Sequence, residues 1–252
     1  MKKILKFILF FLILLGPLNV WCFNVSEIRT EARKLMRDTD TSNPRHTNAH
    51  ILFLINEAQS EIVRIANPIQ KTSSYILTQG TTYYNLPQGF VSLSQAIFKD
   101  RSNNYYNLTE RKIRELYQSN PNWEQSRGQP TEYLITPATS SNVSSTVTVR
   151  ISYIPIPSNN TSTGTITLRY NSEAAELTAD SDIPFEARRE LYQYHYAIVH
   201  YVVFRLKILD GIMDEASTYS NLYNVELSIM KDRYDISPNY NPGIKAGSGA
   251  NR

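Results

Sequence analysis

The sequence predicts an α+β protein, a small helical bundle with an antiparallel β insertion and an extended C-terminal tail. Three observations predict it. Apolar residues recur every three or four positions in 23–70 and again in 171–234, the spacing of helices with one buried face. Between them, 71–170 holds short apolar runs separated by turn residues, the pattern of strands. From residue 235 to 252 the chain turns to Pro, Gly, Asn and Ser and cannot bury enough apolar surface to fold by itself.

The elements follow in order. Residues 1–22 resemble a secretory signal: Lys2-Lys3, an apolar run from Ile4 to Leu15 interrupted by Lys6, then Gly16-Pro17. The run is short for a membrane span, and Val20-Trp21-Cys22 lacks the small residues of a cleavage site. The other readings are an upstream translation start, or an apolar arm that packs in an assembly. Asn24-Val25-Ser26-Glu27 has the form of a capping box, after which Val25, Ile28, Ala32, Leu35 and Met36 share a face. Asp38 to Pro44 is a turn cluster. Thr47 can cap a second helix lined by Ile51, Leu54, Ile55, Ala58, Ile62 and Ile65, which Asn67-Pro68 ends. Tyr83–Leu86, Val91–Phe98, Tyr133–Thr136 and Val147–Ile154 read as strands, with a short helix over Thr109–Gln118 and a Ser/Thr-rich loop over Ser140–Thr146. Gly164–Tyr170 alternates as a half-buried strand. Pro184 opens a long helix reaching Leu209, Gly211 ends it in a left-handed cap, and a second helix carries Ala216, Tyr219, Tyr223, Leu227 and Met230.

Composition limits the function. The net charge of +3 comes from Lys2, Lys3 and Lys6; without these three of its 26 basic residues the chain balances its 23 acidic ones. That argues against a strong nucleic-acid footprint. A single Cys rules out an intrachain disulfide framework and a thiolate zinc site. Tyr, at 17 against 9 Phe, is abundant, and its apolar ring with a polar tip suits interfaces.

Candidate chemistry is sparse. His46 and His50 are four apart and can face the same way, but no third ligand is spaced to complete a zinc site. His195 and His200 are five apart and point to different faces. Asp180, Asp182 and Glu186 could be read as a carboxylate cluster; acids gathered at the positive end of a helix account for them more simply. There is no phosphate loop and no nucleophile elbow, so no catalytic residue, metal or cofactor is expected. Tyr192, Tyr194, Tyr196 and Tyr201 surround the long helix on more than one face, and a small bundle has too few neighbours to bury them all; Tyr192, Tyr196 and Tyr201 are the interface candidates. They are expected to meet a neighbouring subunit. Trp123 suits either a core anchor between the short helix and the sheet or an anchor between subunits.

Four loose motifs carry a resemblance. Thr41-Ser42-Asn43-Pro44-Arg45 leads into Leu54-Ile55-Asn56-Glu57-Ala58-Gln59. Pro121-Asn122-Trp123 precedes Gly128-Gln129-Pro130-Thr131-Glu132-Tyr133. Tyr153-Ile154-Pro155-Ile156-Pro157 leads to Thr165-Ile166-Thr167-Leu168-Arg169-Tyr170. Last come Leu177-Thr178-Ala179-Asp180-Ser181-Asp182-Ile183-Pro184 and, later, Asp210-Gly211. Their order and spacing resemble the head-to-tail adaptor (connector) proteins of tailed bacteriophages over roughly Ile28 to Arg233. The resemblance implies a virion protein assembled in the host cytoplasm, in a homo-oligomeric ring, twelve-fold in the family. Its partners would be the portal protein and tail or nozzle proteins, with DNA passing through the channel without sequence-specific binding. Adaptors of this kind commonly reach the portal through a C-terminal extension. Here Pro238 and Pro242 stiffen such a strap, Tyr240 and Ile244 are its apolar anchors, and Lys245 can meet acidic groups. The signal-like segment keeps open a different class: an exported bacterial protein whose β module binds a surface partner or glycan.

Overall fold

The structure is a computed structural model that describes residues 22–40, 42–137, 149–158 and 164–234. It is an α+β fold. The described residues form two compact units. One gathers those up to Ile62 with Ala175–Met230, and the other Val63–Ala174 with the described residues from Lys231.

The first unit is helical. Helix α1 (Val25–Met36) begins with a complete capping box: the Asn24 side chain accepts the Glu27 N–H, and the Glu27 carboxylate accepts the Asn24 N–H. Arg37, left-handed at φ 57°, ends it. Helix α2 (Asn48–Ala66) starts where Thr47 Oγ1 accepts the His50 N–H, as the spacing predicts. Ile51, Leu54, Ile55, Ala58 and Ile62 are all buried on it. Helices α4 (His195–Leu209) and α5 (Met213–Tyr234) form the hairpin, with Gly211 at φ 73° between them. The long helix does not start at Pro184. Phe185, Glu186 and Ala187 have φ values of 56°, 58° and 55°, a left-handed turn that a right-handed helix cannot contain. Short 3-10 turns cover Phe185–Ala187 and Arg189–Tyr194, and α-helical geometry begins only at His195.

The second unit is built from two four-stranded sheets. Strands β1 (Gln70–Ile76), β3 (Phe90–Lys99), β4 (Tyr105–Asn107) and β10 (Thr165–Ser172) form one, in the order β1-β10-β3-β4 and antiparallel throughout. Strands β2 (Tyr83–Asn85), β5 (Thr109–Glu110), β7 (Glu132–Pro137) and β8 (Val149–Ile154) form the other, in the order β2-β8-β7-β5. The β5–β7 pair is parallel, and so is the small pair of β6 (Arg127–Gly128) with β9 (Ile156–Pro157). Register fixes which residues point inward: Ile166 faces Phe98 and Leu168 faces Ala96 across β10 and β3. These side chains share a core with Tyr133, Ile151 and Tyr153 of the second sheet. Gly164, at the start of β10, must be glycine, because a Cβ there would lie 2.1 Å from the Phe98 ring. The short helix α3 runs from Ile113 to Ser119, four residues later than its pattern suggests, because Thr109 and Glu110 are drawn into pairing with β7.

Candidate functional site

The loop that follows the second unit, Ala175 to Pro184, is held in the helical unit by side chains from α1 and α2. Asn56 accepts the Leu177 N–H at 2.9 Å and donates to the Leu177 carbonyl at 2.9 Å, like a strand partner. One turn on, buried Gln59 donates to the Ala175 carbonyl and accepts the Phe185 N–H at 2.8 Å. The Gln59 bond to Phe185 satisfies the backbone just where the chain turns left-handed. Asp182 Oδ2 accepts the N–H groups of Thr178 and Ala179, which hold its carboxyl below the usual range. The carbonyls of Asp182 and Asp180 accept the N–H groups of Val25 and Ser26, and Asp180 pairs with Arg29 at 2.6 Å. The acidic loop therefore completes the first turn of α1. The sequence pattern places these acids at the start of a helix after Pro184; the structure instead sets Asp180 and Asp182 against the start of α1. Gln59→Ala would leave the buried Phe185 N–H without its partner and should lower stability by about 2 kcal/mol; chemical denaturation measures it.

A second tie joins the helix ends. Asp210, before Gly211, accepts from Arg45 at 2.7 Å and lies 3.3 Å from His46 Nε2. Burial raises the Asp210 carboxyl, but hydrogen bonding and charge from Arg45 and His46 leave it net below its ordinary value. His46 and His50 do face each other, ring centroids 6.0 Å apart. Asp210 is spoken for by Arg45, and among the described residues no group of three or more His, Cys, Asp or Glu side chains could hold a metal.

The third feature is the α4–α5 seam and what meets it. His195 is fully buried among the rings of Phe23, Phe185 and Tyr192. Its Nδ1 accepts the Phe23 N–H at 2.9 Å, so the ring is the neutral tautomer with hydrogen on Nε2. Burial pushes its pKa down to about 4. Tyr201 is also buried, against Tyr223 at 5.2 Å, and burial, with Glu61 and Glu57 nearby, pushes its hydroxyl up to about 12. Glu57 pairs with Arg205 at 3.1 Å, and buried Lys207 pairs with Glu215 at 2.6 Å.

The four interface candidates separate. Tyr196 is 40% exposed, edge-on to Phe23 at 5.2 Å. Tyr192 is half-buried and donates to the Ala187 carbonyl. Tyr201 lies inside its own unit. Trp123 is 1% exposed, in a cluster with Leu116 of α3, Leu134 of β7 and Ile154 of β8. Both of these rings pack within the chain and neither reaches the surface. Pro238, Tyr240, Pro242, Ile244 and Lys245 lie outside the described residues, as does the segment 1–21. Sequence reasoning missed Asn56, Gln59 and the His195–Phe23 bond, whose partners are 121, 116 or more, and 172 residues away in the chain. Among the described residues no helix is long and apolar enough to cross a membrane.

The residues quoted for the resemblance thus meet in space: the Asn56–Gln59 motif holds the Leu177–Pro184 motif, and Arg45 holds Asp210. The chain matches the family described as SU10 adaptor protein over residues 23–245. No curated protein matches it.

Proposed function

The chain belongs to the SU10 adaptor protein family of phage head-to-tail adaptors, and from that premise we propose that it is a structural subunit of a ring between portal and tail, extending the channel through which DNA passes. The match across nearly the whole fold carries this reading. The geometry supports it: Asn56 and Gln59 hold the loop from Ala175 to Phe185, and Arg45 pairs with Asp210 at the end of α4, structural ties of a scaffold. In the ring, Tyr192 of the 3-10 turn before α4 and the exposed Tyr196 of its first turn meet the next subunit. Tyr196→Lys should leave the subunit folded and weaken assembly, since an unpaired charge in a closing interface costs several kcal/mol, roughly. Mass photometry of the assembled wild type against the variant reads this out.

Docking to the portal is assigned to the tail, residues 235–252. Its prolines reduce the entropy lost on ordering, and Tyr240 and Ile244 supply apolar anchors. Deleting Ser237–Arg252 should leave the circular dichroism spectrum and melting temperature unchanged and abolish co-sedimentation with portal rings. Tyr240→Ala combined with Ile244→Ala should reproduce most of that loss. Full portal binding by the truncated protein moves the docking surface onto the helices.

A further inference from the structure

The outer side of α5 exposes an aliphatic stripe. Leu222, Val225 and Ile229 are 43%, 58% and 57% exposed and, at spacings of three and four residues, share one face of the helix. The opposite face buries Tyr223, Leu227 and Met230. The stripe borders the α4–α5 seam. Glu226, four residues after Leu222, reaches His200 Nδ1 at 3.4 Å, and the His200 ring lies 6.0 Å from that of Tyr196. Tyr196 in turn meets Phe23. A run of contacts therefore leads from Phe23 across α4 to Glu226, which neighbours the stripe on α5. Phe23 is pinned there by its bond to His195.

What precedes Phe23 is the most apolar segment of the chain, Ile4 to Leu15, joined to it through Gly16-Pro17 and five further residues. From Leu15 to Phe23 an extended chain spans up to about 26 Å. The stripe from Leu222 to Ile229 occupies only about 10 Å of helix. The chain before Phe23 can thus reach the stripe and is long enough to cover it. Burying aliphatic surface on both sides is favourable in proportion to area.

We propose that Ile4–Leu15 is an intramolecular arm that packs on Leu222, Val225 and Ile229 of α5. This does not depend on the ring. The test uses the full chain with Cys22→Ser, Leu12→Cys and Val225→Cys, treated with a short bismaleimide. An intrachain cross-link, found as linked peptides in a species that runs as a monomer, is expected. A cross-link between chains assigns the stripe to a second copy and overturns the proposal. So does the absence of a cross-link when both cysteines react singly with maleimide. Independently, deleting Lys2–Trp21, which leaves the Phe23 bond to His195 in place, should lower hydrogen-exchange protection of the Leu222–Ile229 amides about tenfold, equivalent to ~1.4 kcal/mol. Unchanged protection overturns the proposal as well.

Discussion

Trp123→Ala should lower the stability of the β-rich unit by about 3–5 kcal/mol, the usual result of replacing a fully buried aromatic ring with a methyl group. The ring fills the space between α3, β7 and β8, where Leu116, Leu134 and Ile154 surround it. None of these can move far: Leu134 and Ile154 lie in paired strands, and the Leu116 carbonyl accepts the Asn120 N–H that closes α3. The cavity therefore stays largely open. The loss should appear in denaturant unfolding at every protein concentration, because the ring packs within its own chain. A loss that fades on dilution below the assembly threshold would return Trp123 to the subunit interface. Trp123→Phe should cost much less, since the indole N–H has no hydrogen-bond partner among the described residues.

Acid should loosen the start of α4 through His195. Its folded pKa is about 4 against an ordinary 6.5, so the unfolded chain binds the proton more readily. The sign follows: the contribution is complete above pH 6.5 and is lost as pH falls from 6.5 to 4. From the pKa difference it amounts to roughly 3 kcal/mol. Protonation also removes the lone pair that accepts the Phe23 N–H, so the anchor of the N-terminal segment goes with it. Carboxylates held low by their partners, among them Asp182, Asp210 and Glu215, act in the same direction at lower pH. His195→Asn supplies a neutral acceptor near the position of Nδ1. Denaturation across pH 4 to 7 should show a slope in the wild type that is flattened in the variant. An unchanged slope assigns the acid sensitivity to another group.

The fold was legible where a residue's role depends on its neighbours in sequence. Asn24 and Glu27 announce the capping box, Thr47 the cap of α2, Gly211 the left-handed end of α4, and alternation the strand after Gly164. It was illegible where a distant side chain overrides the local pattern. The apolar spacing after Pro184 is helical, yet the Phe185 N–H is taken by Gln59 from α2, and three left-handed residues delay the helix to His195. Thr109 and Glu110 fit a helix start until β7 pairs with them. The site divides the same way. The tyrosines on the long helix stand out by number, but which of them faces solvent depends on the whole bundle: Tyr196 does and Tyr201 does not. Asn56 and Gln59 look like ordinary polar positions on α2. Only the loop that returns after the β insertion gives them their partners.

Electron cryo-microscopy of purified portal rings mixed with the full-length chain tests the proposed ring most directly. A closed ring of the chain coaxial with the portal channel, lost with the Ser237–Arg252 deletion, is the predicted result. Bare portal rings with the chain left as free subunits, at concentrations where it is folded and soluble, would contradict it.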